Sequence, residues 1–392
     1  MHEGRTLFAQ LMDWLPKYEF GKCADRYNGE FHVRSMSCYE QFLIMAFAQL
    51  TSRDSLRDVE TCLRSLRSKL YHSGIRTKVA RSTLADANER RDWRIFEDFA
   101  HLLIAKARRL YASEAFGAHL NQTAYALDAT TIDLCLTLFP WAQFRRRKSA
   151  IKLHTLFDLR GCIPTLVIVT SGRIQDGTML RHIPIEPGSF YVMDRGYRDL
   201  RQLLRIHREQ AFFVTRAAVN QALSRMYSHS IDKSTGLQCD QTVRLRGRLS
   251  REKYPEQLRR VRFLDPKTGK RLVFLTNNFT IPAISVADLY HCRWRVELFF
   301  KWIKQHLRIK AFYGTSQNAV KTQVWIAIAV YVLVAIIKKE LRLQQSLYTI
   351  LQILNVSLFE KIPILQAFSE CQPQIENGVL ETGQKQRLFS GF

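Results

Sequence analysis

Near residue 120 the apolar residues of this chain change their spacing from that of helices to that of strands, which limits the fold more than any other feature. Residues 1 to about 118 read as helices. "CYEQFLIMAFAQL" leads through "TSRD" into "SLRDVETCLRSL", where Ser55 and Asp58 have capping-box spacing. "RSTLADANERRDWRIFEDFAHLLIAKARRLYA" repeats that logic, with Thr83 and Asp86 at the same spacing and Trp93, Phe96, Leu103, Ala107 and Leu110 on one apolar face. From 124, "AYALDATTIDL", "AIKLHTLFDL" and "CIPTLVIVTSG" predict three strands, with a basic loop, "RRRKS", among them. "DGTMLRHI" then predicts a short helix, "SFYVMDRGY" a buried strand, "RDLRQLLRIHRE" a helix and "AFFVTRA" a strand. Three strands followed by alternating helices and strands is an α/β order.

Residues 217–282 interrupt that order with short basic strands. In "QTVRLRGRL", Val243, Leu245 and Leu249 alternate with Arg244, Arg246 and Arg248, predicting an apolar face and a guanidinium row. "VRFLDPKTGKRLVFLTN" predicts a hairpin. From 283 the pattern is helical again, with Ser285 and Asp288 as caps of a helix running through "LYHCRWRVELFFKWIKQHL". The apolar run "VWIAIAVYVLVAII" (324–337) is shorter than the roughly 20 residues of a membrane span, so it predicts a buried core helix. The last forty residues are weakly patterned.

The eight cysteines never approach the spacing of a local C-x-x-C motif, which predicts reduced, mostly buried thiols. The first residues lack the order of a signal peptide, so secretion is not indicated and a cytosolic setting is expected. Phosphate-binding glycine motifs are absent, so nucleotide energy is not indicated.

Charge points to the partner. Lys and Arg number 59 against 35 Asp and Glu, a net +24 spread along the chain, which favours a polyanion, either nucleic acid or an anionic membrane, and with the aromatic content nucleic acid is the expected partner. In the helical front, Ser82, Thr83 and Asn88 beside Arg81 could read base edges, although helix capping explains the same residues.

Three acids stand out against this basic background. Asp128 lies within an apolar strand and Asp194 ends another, and acids in strands are disfavoured and costly to bury unpaired. On an ideal helix, Leu289, Cys292, Val296, Phe299, Phe300, Ile303 and Leu307 form a core face, whereas Tyr290, Arg293, Glu297, Lys301 and Lys304 share a polar stripe. A stripe alone is more often a solvated face with i,i+4 pairs. Two strand-borne acids and a helix-borne one among phosphate-binding cations suggest a divalent-metal site instead, because Mg²⁺ takes a few carboxylates and a substrate phosphate. His154 and Asp158 point to one face of a predicted strand but lack a third ligand.

The combination resembles the DDE transposases of the insertion sequence 4 family, whose Y-x2-R-x3-E-x6-K signature is met by Tyr290, Arg293, Glu297 and Lys304 after the "LDAT" and "DRGY" contexts of Asp128 and Asp194. The resemblance implies an RNase H-like core interrupted by a β-rich insertion, with helical terminal regions. The chain then divides into a DNA-binding region (1–118), the first part of the core (119–216), the insertion (217–282), the second part of the core (283–345) and a C-terminal pairing region (346–392). It further implies Mg²⁺, replaceable by Mn²⁺, held by Asp128, Asp194 and Glu297, with Tyr290, Arg293, Lys304 and Lys301 serving the DNA phosphates. Arg145, Arg146, Arg147, Lys148, Arg244, Arg246, Arg248 and Arg81 form the wider DNA surface.

The implied activity is cut-and-paste transposition of double-stranded DNA in the bacterial cytoplasm, in association with the nucleoid and with no membrane: binding the element's inverted repeats, pairing them as a homodimer, cutting and joining to target DNA. The family's flipped base stacks on an aromatic of the insertion; this insertion has no tryptophan, leaving Tyr227, Tyr254 and Phe274 as candidates. The competing readings are a catalytically silent DNA-binding repressor and a metal-dependent nuclease on the same core.

Overall fold

A computed structural model describes residues 4–369, except 115, 118, 119, 121, 146, 147, 219, 220 and 306–311. The helical front comprises α1 (Leu7–Met12), α2 (Lys17–Arg26), α3 (Cys38–Leu50), α4 (Leu56–Ser65), α5 (Arg67–Leu70), α6 (Arg81–Arg90) and α7 (Arg94–Tyr111). Ser55 caps α4 by accepting from the Asp58 amide, as its spacing predicts. Thr83 does not cap: α6 begins at Arg81, so Thr83 lies inside its first turn. Asn88 cannot read base edges either. It is 2% exposed and accepts from the Gln41 side chain at 2.8 Å.

Ten strands of the described residues make one sheet. They are β1 (Ala124–Leu134), β2 (Gln143–Arg145), β3 (Lys148–Asp158), β4 (Ile163–Ser171), β5 (Phe190–Met193), β6 (Phe212–Arg216), β7 (Leu223–His229), β8 (Leu237–Leu245), β9 (Leu258–Leu264) and β10 (Arg271–Thr276). The order is β2-β3-β1-β5-β6-β10-β9-β8-β7, with β4 also on β3. β4, β3 and β1 are antiparallel neighbours, whereas β5 and β6 run parallel to β1. This is the RNase H-like arrangement expected of the core. The strands of 217–282 do not stand apart, since β10 pairs with β6 and carries the same sheet outward to β7.

The expected alternation along 241–249 holds only to Leu245. Val243 and Leu245 are buried and Arg244 is exposed, but Gly247 at φ 88° turns the chain into α9 (Arg248–Lys253). A left-handed φ is open to glycine without a Cβ clash. Arg248 therefore leaves the row and pairs with Glu252, and Leu249 is exposed.

Between β5 and β6 lies α8 (Leu200–Arg208), and after the sheet come α10 (Ala283–Cys292), α11 (Trp294–Gln305), α12 (Gln317–Glu340), α13 (Leu347–Ser357) and α14 (Ile364–Ser369). α10 starts after Pro282, which lacks the N–H that a helix interior needs, so Ser285 sits inside the helix and is not its cap. The stretch read as one helix through 289–307 breaks at Arg293, where Val296 N donates to Arg293 O at 3.0 Å in an i,i+3 bond. The core face survives the break: Leu289, Val296, Phe299, Phe300 and Ile303 are buried, Cys292 is partly buried, and Leu307 lies outside the described residues.

α12 confirms the core-helix expectation, with every residue from Val324 to Ile337 buried. It is long and apolar enough to cross a membrane, yet 94% of its apolar window is buried within the protein. It packs on α7, α3 and α6, and joins the helical front to one face of the sheet through a shared hydrophobic core. The opposite sheet face packs Tyr125, Leu127, Tyr191, Met193 and Phe213 against Leu203, Leu204 and Ile206 of α8. The two chain ends also meet: Leu7 and Phe8 donate from their backbones to Glu360 and Leu358, and the Gln10 amide bonds Ile362 and Ile364.

Candidate active site

The site begins with strand register. Leu127 of β1 pairs with Met193 of the parallel β5, so the next residues, Asp128 and Asp194, lie side by side. Neighbouring strands are about 4.8 Å apart, and residues paired across them share a face. That face is the one α11 covers, through contacts with β1. Two acids remote in sequence thus arrive together because each ends an apolar run on an adjacent parallel strand.

Arg293 supplies the link to the third acid. At the α10–α11 break its Nη1 donates to Asp128 Oδ2 at 2.6 Å and its Nη2 to Glu297 Oε1 at 2.7 Å. The guanidinium is 12% exposed, its Nε has no hydrogen-bond partner among the described residues, and it lies over the Tyr290 ring. Tyr290 donates to Asp194 Oδ1 at 3.0 Å, with its ring against Phe274 of β10. Lys304 donates to Thr131 O of β1 at 2.7 Å, tying the far end of α11 to the strand that carries Asp128.

The electrostatics of the three acids are coupled. Burial pushes the Asp128 carboxyl up to about 6; Arg293 and the Ala129 amide pull it down, while Glu297 and Asp194 add to the rise. At Asp194 burial also pushes upward, but the Arg195 amide, the Tyr290 hydroxyl and the Arg293 and Arg216 charges outweigh it and hold the carboxyl below its ordinary range. Burial disfavours the Arg293 charge, yet Asp128, Tyr290 and Glu297 more than restore it.

As the side chains stand, no three His, Cys, Asp or Glu groups among the described residues are gathered tightly enough to enclose an ion, and the Arg293 fork occupies the link between Asp128 and Glu297. The donor chemistry nonetheless fits a hard divalent cation: the groups are carboxylate oxygens, and the rise that burial gives the Asp128 carboxyl is one that added positive charge would offset.

Other expected site residues are placed elsewhere. Lys301 is exposed and borders a cavity with Arg295, Trp302 and Tyr348. Arg145 and Lys148 face each other across the β2–β3 hairpin, near the Leu134 end of β1 and so about 20 Å along the strand from Asp128. Arg146 and Arg147 lie outside the described residues. Arg81, Arg244 and Arg246 are exposed. Tyr254 and Phe274 are core residues, 1% and 0% exposed, whereas Tyr227 is 62% exposed on β7. His154 and Asp158 have separate partners: His154 bonds Thr170 and faces Asp176, and Asp158 pairs with Arg108.

One residue escaped the sequence reading. Thr215 of β6 pairs with Met193, which sets Arg216 beside Asp194, its Nη1 4.0 Å from Oδ1. The signal was present, because "FFVTR" ends an apolar strand in a charge as "FYVMD" does.

Residues 120–333 match the model of the transposase DDE domain, and residues 3–76 match a domain of unknown function, DUF4372. A Sinorhizobium fredii protein named as transposase y4zB is 33% identical over 282 residues, covering 71% of this chain and 77% of its own. A Geobacillus stearothermophilus protein named as the transposase of insertion sequence element IS5377 is 31% identical, covering 53% of this chain and 54% of its own. One of Synechocystis, named for insertion sequence element IS4SA, is 23% identical, covering 79% and 83%. Among solved structures, a piggyBac transposase synaptic complex with hairpin DNA aligns at a TM-score of 0.45 and 12% identity, covering 96% of this chain and 86% of that one. With the family model spanning more than half of its length, this chain belongs to the transposase DDE domain family.

Proposed function

We propose that this transposase binds the inverted-repeat ends of its own insertion sequence, cuts the phosphodiester at each end and joins the freed ends to target DNA, working as a homodimer. The observation that carries the reading is the register that sets Asp128 and Asp194 side by side, each one residue beyond the paired Leu127 and Met193 of adjacent parallel strands, with Arg293 linking Asp128 to Glu297. Asp128, Asp194 and Glu297 would hold Mg²⁺, or Mn²⁺ in its place. Bound there, the ion supplies Lewis acidity for phosphodiester transfer and lowers the pKa of the attacking water.

The chain's own groups do the rest. Tyr290 orients the Asp194 carboxylate through its hydroxyl. Lys304 sets how far Glu297 stands from Asp128 by anchoring α11 to β1. Arg293 neutralises two acids in the free protein, and its unpaired Nε suits a phosphate oxygen once DNA enters. The exposed Arg81, Arg145, Lys148 and Arg244 extend a basic surface for the phosphate backbone, whose binding should weaken steeply with salt. The helical front would contribute end recognition and the C-terminal helices the pairing of two copies. A hairpin intermediate is a separate part of the proposal, with the exposed Tyr227 as the base-stacking aromatic; donor ends that stay open at every time point on a denaturing gel would remove it.

The direct test flanks a selectable marker with the DNA bordering this gene and measures Mg²⁺-dependent excision by the parent chain and by Asp194→Ala. Excision by the parent alone supports the reading. Salt-sensitive binding of the ends by both proteins without excision would replace it with the repressor, and cutting without joining with the nuclease.

A further inference from the structure

A second constellation of charge lies one strand beyond Asp194. Around the C-terminal end of β6 a cavity of about 540 Å³ opens between α8 and the outer strands, lined by Arg198, Arg216 and Arg246 together with Gln221 and Ser250. Its wall is apolar, with Leu203, Phe213, Leu245 and Leu258 among the lining residues. Among the described residues no carboxylate lines it. Arg198 and Arg246 are exposed, and neither has a carboxylate within 4.0 Å among the described residues. Three guanidiniums around one cavity repel one another, and an anion between them turns that repulsion into attraction.

The cavity lies on the α8 face of the sheet, opposite the acids, and is joined to them around the strand ends by two contacts. Arg216 lines it while reaching to 4.0 Å from Asp194 Oδ1, and Thr215, also lining it, donates to the Asp194 carbonyl at 3.5 Å. Along adjacent parallel strands the order is Asp128, Asp194, Arg216, so a polyanion laid across the acids continues onto Arg216.

We propose that Arg198, Arg216 and Arg246 form a binding pocket for a DNA phosphodiester that flanks the one cut at the acids, with the apolar wall receiving its sugar. The inference rests on the proposed end cleavage, and it assigns that reaction's substrate a second point of attachment. Arg guanidiniums suit this task because their planar fork bonds two phosphate oxygens at once.

The experiment measures binding of the full chain to duplexes of the element's end, each carrying one neutral methylphosphonate at a different backbone position around the cleavage point. The parent should lose affinity at the flanking position. Arg246→Ala and Arg198→Ala should each bind unmodified DNA about tenfold more weakly and with a salt slope smaller by about 1, as expected for one lost phosphate contact. They should also be indifferent to the methylphosphonate that the parent feels. Arg246→Lys should recover part of the affinity but not the full sensitivity, because an ammonium has no fork. Thermal melting like the parent's shows that the exposed substitutions leave the fold intact. If both alanine variants keep the parent's sensitivity at every position, the pocket does not hold DNA. If the parent itself fails to bind its ends, the proposed function has failed instead. Tight binding of inorganic phosphate, lost in the variants while DNA binding is unchanged, would reassign the pocket to a free anion and overturn the proposal.

Discussion

Replacing Arg293 by alanine would strand two carboxylates in a partly closed site. The guanidinium is 12% exposed and bonds Asp128 (20% exposed) at 2.6 Å and Glu297 (33% exposed) at 2.7 Å. Removing one partner of a fully buried pair costs about 3–5 kcal/mol, and the partial exposure of Glu297 argues for the lower end, about 3 kcal/mol. In a chain of 392 residues that lowers Tm by about 4 °C.

The loss should depend on pH in a definite direction. The folded Asp128 carboxyl, at about 6, lies above its unfolded value near 3.9, so protonation favours the fold; that stabilisation is complete below the unfolded value and disappears as pH rises through 6. Without Arg293 the folded value rises further, and the variant recovers stability over a wider range on acidification. The deficit should therefore be large at about pH 8 and much smaller at about pH 5. Mg²⁺ should also raise the variant's Tm more than the parent's, because the ion no longer competes with a guanidinium for the same oxygens. Thermal unfolding of both proteins at the two pH values, with and without Mg²⁺, is the assay. A deficit equal at both pH values and unmoved by Mg²⁺ would mean that Arg293 acts through packing, and the counter-charge argument would be wrong.

Asp194→Ala and Glu297→Ala should abolish end cleavage while leaving gel-shift affinity for the ends largely intact, since neither removes a surface cation. Trp325→Ala, within the wholly buried span of α12, should destabilise by about 3–5 kcal/mol in urea unfolding. His154, 2% exposed, is held neutral by burial, its value lowered to about 4. The unfolded chain then binds the extra proton, so stability should fall as pH drops from about 6.5 to 4, by up to about 3 kcal/mol, and His154→Gln should flatten that slope in denaturant titrations. Lys304→Met should slow cleavage more than it weakens end binding, by freeing α11 from β1; equal losses in both would assign Lys304 to the DNA.

Much of the fold was legible before the structure. Strand and helix periods placed β1, β3, β4, β5, α8 and β6 within a few residues, because each buries one face or a whole run. Errors fell where one local signal overrode another: Pro282 moved the start of α10 ahead of Ser285, and Gly247 ended a row of alternating arginines. Asn88 looked like a base reader because nothing in its neighbourhood betrays Gln41, 47 residues away.

The sequence by itself determined which groups are present and on which elements they ride. An acid within one apolar strand and another directly after a second have no cheap explanation, and the spacing of Tyr290, Arg293, Glu297 and Lys304 marks the family. Only the tertiary structure decided how these groups meet. Arg293 bonds Asp128 across 165 residues, Tyr290 bonds Asp194 across 96, and Arg216 reaches Asp194 through the register of two parallel strands. The physical reason is one of range: hydrophobic period is a property of consecutive residues, whereas strand order and register are settled by which apolar faces bury together, over separations that local pattern does not report.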